Sequence, residues 1–183
     1  MNLLPIRAVA MVLLLAFLAP GCHEPVEPVL ETQQSSLLDV LNAHRQALGL
    51  PTLARTAALD EVAEAHLYDL QGMRPEEPCS LHSWSAAGPW SPCCYLRNQS
   101  DTSCMLEKPK EISGYSGVGY EIAVEYFGTE PLSAEKALQL WLDSPAHRSV
   151  IENTDMWEGK QWQGVGTALS ENYAVIWFGA DRD

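Results

Sequence analysis

Among the residues that could do chemistry in this sequence, His147 has the most informative surroundings. It lies in a Trp-x-x-Ser-Pro-x-His-Arg run that begins at Trp141. Pro145 disfavours helical geometry in Ser144, so we predict that one helix ends there and that the next begins at once. His147 is then placed at a junction between two helices, where an imidazole is available to bind a metal ion or transfer a proton.

Serines beside histidines raise a second kind of chemistry, nucleophilic catalysis. Ser83 directly follows His82, and Ser144 lies shortly before His147. A serine next to a histidine is common by chance, and a nucleophile and its base are recognised by geometry. A third histidine, His66, lies on the apolar stripe of a predicted helix, and we favour a packed, hydrogen-bonded core residue over the open alternative of a ligand.

The elements that must position these residues are predicted from apolar spacing. The helix before His147 begins after the N-cap Ser133 and ends at Asp143. Two earlier helices are predicted, one opening the domain at Leu37 and ending near Gly49, and one over residues 56–72. The apolar runs 163–169 and 173–179, joined by three polar residues, predict a closing β-hairpin.

Length and charge limit the classes of function. With 183 residues, 46% of them hydrophobic, the chain is long enough for one well-packed domain and too short for two. Its formal net charge of −13 argues against nucleic acid as a partner, because no Lys/Arg stripe is present to follow phosphates.

The N-terminus has the pattern of a secretory signal, residues 1–21. A single positive charge precedes an apolar run that is too short to span a membrane, so we expect the signal to be removed. Leu-Ala-Pro-Gly-Cys resembles a bacterial lipobox, which favours a lipid anchor on Cys22 over cleavage into a soluble secreted protein. His23 stands where an aspartate would favour inner-membrane retention, so an outer-membrane or surface location is expected. Residues 22–36 predict a flexible tether, and residues 37–183 the folded domain.

The four other cysteines lie in an insertion, about residues 73–119, that is poor in helix or strand periodicity. In an exported chain they most simply form two disulfides. Cys93 and Cys94 are badly placed to bond each other, since adjacent Cα atoms are about 3.8 Å apart and a relaxed disulfide needs about 4.4–6.8 Å. One of them should therefore bond Cys79 and the other Cys104, in either combination. A four-thiolate zinc site is the less favoured alternative, because the sequence lacks the two Cys-x-x-Cys pairs that are typical of such sites.

These motifs together resemble the CAP superfamily of cysteine-rich secretory, antigen 5 and pathogenesis-related proteins, and above all its bacterial branch with the Ser-Pro-x-His-Arg element. The likeness covers residues 37–179 apart from the cysteine loop. It includes the Asn-x-x-Arg and Gly-Leu-x-x-Leu elements, here Asn42, Arg45, Gly49, Leu50 and Leu53. The resemblance implies an α+β fold, a three-layer α-β-α sandwich around a mixed, mostly antiparallel sheet.

The resemblance also implies a central cleft of two histidines and two glutamates that in some members binds a divalent metal. Carried over residue by residue, it gives His82, Glu121 and His147, whereas the second glutamate is replaced by Ser144. The literal match to the first glutamate is Tyr120. We choose Glu121, one residue later, because the backbone beside a glycine turn can reorient. Two imidazoles and one carboxylate would suit Zn²⁺, with a fourth place for water.

Three functions follow from this site. The favoured one is a non-enzymatic binding module that holds a lipid, glycan or protein ligand in its groove, because the resemblance implies no shared catalytic activity and links several members to lipids or sterols. The second is a hydrolase, either metal-assisted through His82, Glu121 and His147 or serine-type through Ser83 or Ser144. The third is a structural envelope protein whose cluster is only a hydrogen-bonded polar core.

Overall fold

A computed structural model of the protein describes residues 29–96 and 102–180, with the backbone alone for residues 29–36 and Cys104. The five helices of this part of the chain are α1 (Val29–Ala47), α2 (Ala57–Gly72), α3 (Ser103–Ser113), α4 (Ala134–Leu142) and α5 (Pro145–Glu152). Its four strands are β1 (Ala54–Arg55), β2 (Gly119–Glu125), β3 (Gly164–Leu169) and β4 (Tyr173–Gly179), and a 3-10 helix spans Asp155–Trp157. The predicted signal and Cys22 lie outside the described residues. None of the described helices has the length and apolar character needed to cross a membrane.

The four strands form one sheet in the order β1-β3-β4-β2. β3 and β4 pair as the predicted antiparallel hairpin, with Val165 opposite Phe178. β2 is antiparallel to β4 on its other side, while the short β1 runs parallel to β3. The predicted mixed, mostly antiparallel sheet is confirmed.

Helices cover both faces of this sheet. Alternate side chains of a strand point to opposite faces, so neighbouring residues of β2 enter different cores. Ile122 belongs to the core that contains side chains of α1, α4 and α5, whereas Ala123 belongs to the core that contains side chains of α2 and α3. The three-layer sandwich that the resemblance implied is confirmed.

The junction between α4 and α5 follows the local sequence. The Ser133 hydroxyl caps α4 by accepting the Lys136 N–H at 3.2 Å. Ser144 is extended, and Pro145 is the first residue of α5, where its missing N–H costs no hydrogen bond. The predicted end and restart of the helix are confirmed, and His147 lies in the first turn of α5.

Helix α1 fixes the other end of α5 through Arg45, which is buried. Its guanidinium donates to the carbonyl of Ile151 at 2.6 Å and to the side-chain oxygen of Asn153 at 2.8 Å. These bonds satisfy groups at the C-terminal end of α5 that have no partner within the helix. The helix that carries His147 is therefore held firmly against α1.

Two predicted boundaries need correction. The insertion was expected to be poor in helix, yet it contains α3, a helix with Pro109 inside it that concealed the helical pattern. Helix α1 begins at Val29, within the segment 22–36 assigned to a flexible tether. Leu, Glu and Gln are frequent between Val29 and Gln34, and these are strong helix formers that extend the helix.

The cysteine loop is closed by a disulfide between Cys79 and Cys94. Cys93 is disulfide-bonded as well, and its predicted pairing with Cys104 falls on a side chain outside the described ones. The disulfide excludes the four-thiolate zinc alternative, because two of its four ligands are oxidised.

Candidate functional site

Glu121, near the start of β2, is the centre of the polar site. Its side chain is on the same face of the sheet as Ala123, turned toward α2, and the residue is only 5% exposed. One carboxylate oxygen, Oε1, is hydrogen-bonded to Nδ1 of His66, and the other, Oε2, lies 3.0 Å from Nδ1 of His82. Both oxygens of this carboxylate are therefore engaged by imidazoles.

His66 holds Glu121 from the inner side. It is fully buried on α2, its Nε2 lies 3.1 Å from the Ser83 carbonyl oxygen, and its ring stacks on Trp84 at 4.2 Å. A carbonyl oxygen only accepts, so Nε2 donates to it, and a further proton must lie between Nδ1 and the carboxylate. The core role predicted for His66 is confirmed, and the structure adds that His66 belongs to the polar site.

Electrostatics favour the ionised form of Glu121. Burial raises the pKa of a carboxyl, but the charge of His66 and the hydrogen bonds from His66 and His82 outweigh burial and lower the pKa of Glu121 to about 2. The group is therefore a carboxylate at neutral pH.

His82 lies where the buried site meets the cleft. Because the Glu121 carboxylate can only accept, Nδ1 of His82 donates to it. Nε2 makes no hydrogen bond with another described residue. The His82 side chain is 19% exposed and lines the main cleft, so its ring is accessible from there.

Three contacts between residues 79–84 and residues 93–95 hold the loop that carries His82. Trp84 and Cys93 form an isolated antiparallel bridge, and the disulfide joins Cys79 to Cys94 below it. The N–H of Tyr95 donates to the Ser83 hydroxyl at 2.8 Å. The loop that carries His82 is thus closed on itself, and Tyr95 is brought to the cleft beside it.

His147 faces His82 from α5 on the opposite wall. The two ring centres are 6.5 Å apart with an angle of 73° between the ring planes. Burial, together with the nearby His82, lowers the pKa of His147 to about 4. The imidazole of His147 is therefore neutral at pH 7.

The main cleft has a volume of about 490 Å³ and lies between α3, β2 and α5. His82, Glu121 and His147 line it, so the structure brings the three predicted site residues together. Its apolar wall is formed by Met105, Leu106, Ile122, Val150, Met156 and Trp157. A smaller cavity of about 330 Å³ meets it at His82, Tyr95 and His147. The lining of the main cleft thus combines apolar side chains with polar ones, among them the histidines and the tyrosine that it shares with the smaller cavity.

Another cavity, of about 430 Å³, lies on the far side of the cysteine loop, beside the disulfide. Met73, Arg74, Trp84 and Cys94 are among the residues that line it, and no histidine is.

Comparison with known proteins agrees with this architecture. The family model described as CAP, the cysteine-rich secretory protein family, matches residues 38–177. This chain belongs to the CAP family. None of the curated proteins matches it.

Three solved structures resemble this CAP domain. A cysteine-rich secretory protein from Staphylococcus aureus subsp. aureus Mu50 has a TM-score of 0.56 at 17% identity, over 86% of this chain and 41% of its own. An extracellular protein containing a SCP domain, from Bacillus anthracis str. Ames, has a TM-score of 0.54 at 18% identity, over 87% and 45%. An outer surface protein from Borrelia burgdorferi has 0.52 at 18% identity, over 80% and 90%. The fold is shared, and this chain spans less than half the length of the first two proteins.

The candidate serines of this CAP domain are not arranged as nucleophiles. The Ser83 hydroxyl accepts from the backbone of Tyr95, and Ser144 makes no side-chain cap bond at the start of α5. In the described part of the chain, neither hydroxyl is hydrogen-bonded to a histidine. Within the described residues, the geometry therefore pairs neither Ser83 nor Ser144 with a histidine.

The residues present fit a divalent metal poorly as they are placed. Across residues 29–96 and 102–180, no three His, Cys, Asp or Glu side chains form a group that could hold a metal ion. Two imidazoles on one tetrahedral Zn²⁺, with Zn–N of about 2.0–2.1 Å, bring their ring centres to about 5 Å. His82 and His147 are 6.5 Å apart, and Glu121 is already occupied by two histidines. The role of these three residues as metal ligands stays a prediction, and we derive no chemical step through a metal.

Two members of the site were not assigned to it from the sequence, His66 and Tyr95. A histidine on a fully apolar helical stripe must find hydrogen-bond partners inside the protein, which was the available signal for His66. Tyr95 directly follows Cys94, but its place at the cleft depends on the disulfide pairing, which the sequence left open.

Proposed function

We propose that this CAP protein is a binding module whose main cleft holds an amphipathic, lipid-like ligand. The observation that carries this proposal is one cleft of about 490 Å³ whose lining combines six large apolar side chains with the imidazoles of His82 and His147. The volume is within the range of sites for small ligands, and a few convergent polar groups suit a head group.

Among the three ligand classes that the resemblance implied, the lining favours a lipid. A glycan would require many hydrogen-bond partners along its length, whereas Leu106, Ile122, Val150 and Trp157 offer none except the Trp157 indole N–H. An alkyl chain against the same wall would gain about 0.8 kcal/mol for each buried methylene.

We propose that the protein acts outside the cytoplasm, attached to a membrane through a lipid on Cys22 and facing the outer membrane or the cell surface. The signal pattern of residues 1–21 supports export. The Cys79–Cys94 disulfide suits an oxidising compartment. Two of the structures it resembles are described as an extracellular protein and an outer surface protein.

Catalysis is not part of this proposal. Glu121 orients His82 as a carboxylate orients a general base, but no serine, threonine or cysteine side chain within the described ranges is hydrogen-bonded to His82 or His147. A purely structural role for His66, His82 and Glu121 would not account for the apolar side chains that line the cleft.

The test uses the neutral fluorescent probe N-phenyl-1-naphthylamine, titrated into the purified protein. Ala146 is an exposed residue of α5 that lines the cleft, so Ala146→Trp should fill the cleft without disturbing the core. Ala43 is an exposed alanine of α1, and Ala43→Trp is the matched control. We expect saturable binding that Ala146→Trp weakens at least tenfold and Ala43→Trp leaves unchanged. Absence of saturable binding, or equal effects of the two substitutions, would refute the proposed function.

A further inference from the structure

We propose that the turn between α5 and β3 docks on a zwitterionic phospholipid bilayer and brings the mouth of the main cleft against it. This turn, residues 154–160, includes the 3-10 helix Asp155–Trp157 and is called the Met156 turn below. The inference rests on the proposed attachment of the protein to a membrane, and it adds the surface by which the folded domain meets that membrane.

Met156 gives the turn an apolar tip. It is 79% exposed, and both Met156 and Trp157 line the main cleft. Trp157 is half-buried and packs against Tyr120, with 4.9 Å between the ring centres. Tryptophan and tyrosine are enriched where a membrane meets water, because their rings are apolar and each carries one polar group. The mouth of the cleft therefore has the side chains of a membrane-facing surface.

Hydrogen bonds hold the Met156 turn in shape. The side-chain amide of Asn153 donates to the Lys160 carbonyl at 2.9 Å and closes the turn. Within it, the Trp157 N–H donates to the Thr154 carbonyl at 2.9 Å. Met156 is therefore held outward by a bonded backbone, in a position where a bilayer can bury its side chain.

The charges of the Met156 turn favour a zwitterionic head group over an anionic one. Asp155 and Glu158 are exposed on either side of the tip, and Lys160 is the one cation among residues 154–160. In phosphatidylcholine the ammonium lies outside the phosphate, so the two carboxylates meet the ammonium layer while the long Lys160 side chain reaches the phosphates. Anionic lipids would repel both these carboxylates and a chain whose formal net charge is −13.

The proposed anchor keeps the domain close to the bilayer. Val29, the first residue of α1, is seven residues after Cys22, and a chain of that length spans at most about 25 Å. Contacts within one tethered molecule form at a high effective concentration, so even a weak apolar contact is populated. With the Met156 turn docked, a lipid-like ligand enters the cleft without crossing water.

Quenching of tryptophan emission by bromine tests this docking. The exported protein would be purified in detergent and reconstituted into phosphatidylcholine vesicles whose acyl chains carry bromine, with unbrominated vesicles as the reference. Bromine quenches the tryptophans that reach the acyl chains. We expect quenching that Trp157→Phe removes. We expect weaker quenching in vesicles of an equal mixture of brominated phosphatidylcholine and brominated phosphatidylglycerol, and equal or stronger quenching there would overturn the inference.

Two substitutions at exposed apolar residues separate the Met156 turn from the rest of the surface. Met156→Glu should weaken docking about tenfold and remove most of the quenching, because a charge replaces an apolar side chain that the bilayer buries. Phe127 is 77% exposed and follows the end of β2, whereas Tyr120 lies near its start. Phe127→Glu thus adds the same charge away from the turn and should leave the quenching unchanged. Equal effects of the two substitutions would overturn the inference.

The remaining outcomes distinguish docking from its alternatives. Ala146→Phe fills the cleft beside the turn and should leave the quenching in place, because docking uses the outer surface. Loss of quenching in this variant would show that lipid reaches Trp157 only inside the cleft, which overturns docking and supports the proposed ligand. Vesicles that retain the protein without quenching overturn docking and leave the attachment standing, whereas a protein that does not associate with vesicles refutes both. Absent quenching together with a dimer that Met156→Glu dissociates would assign the turn to a second copy of this chain.

Discussion

The low basicity of His147 should make the folded protein lose stability between pH 6.5 and pH 4. Burial, with His82 nearby, lowers the pKa of His147 from 6.5 to about 4. In that interval the unfolded chain binds a proton at this residue and the folded chain does not, so falling pH favours unfolding. This lowering of the pKa corresponds to about 3 kcal/mol of stability lost as the pH falls from 6.5 to 4.

Urea unfolding at pH 7 and at pH 4, for the unmodified protein and for His147→Gln, measures this contribution. Other groups also titrate toward pH 4, but they are common to both proteins and cancel in the difference. We expect the free energy of unfolding to fall between the two pH values by about 3 kcal/mol less in the variant than in the unmodified protein. Parallel pH dependences in the two proteins would show that His147 is not buried beside His82, and the described geometry of the cleft would be wrong.

Three further predictions concern the site and the loop around it. Glu121→Gln should lower the free energy of unfolding by about 3–5 kcal/mol, because it removes one partner of a buried charged pair. The control Glu135→Gln, on the exposed first turn of α4, should change it by less than about 0.5 kcal/mol. Similar losses for the two variants in urea unfolding would count against the buried network. The double substitution Cys79→Ser with Cys94→Ser opens a disulfide of sequence separation 15, which should cost about 3 kcal/mol in the same assay, and an unchanged stability would contradict the pairing. Calorimetric titration of the metal-stripped protein with zinc should show no stoichiometric binding, and binding that disappears when either cleft histidine is changed to alanine would instead restore the predicted metal site.

The parts of the fold that could be predicted are those specified by neighbouring residues. Ser133 and Pro145 fix the ends of α4 and α5 through their own backbone preferences, and the alternation of apolar residues fixes the closing hairpin. Helix α3 was missed because Pro109 within it lacks the N–H that an uninterrupted helical pattern assumes.

The candidate site was only partly predictable, because its chemistry depends on distant partners. His66 and Glu121 are 55 residues apart in sequence, and nothing local to either indicates that they bond. The resemblance supplied Glu121 as a metal ligand, whereas the structure engages both of its oxygens with histidines. That arrangement depends on the sheet and α2 packing together, which residue spacing does not describe.

Photo-crosslinking shows directly whether a lipid-like ligand binds in the cleft between α3 and α5. A decanol with a diazirine in its alkyl chain would be irradiated with the protein, and the labelled peptides would be identified by mass spectrometry. We expect label on α3, on α5 and on the 3-10 helix Asp155–Trp157, and we expect Ala146→Trp to abolish it. Label concentrated on residues 73–76 and 92–94, at the cavity beside the disulfide, would refute binding in the cleft.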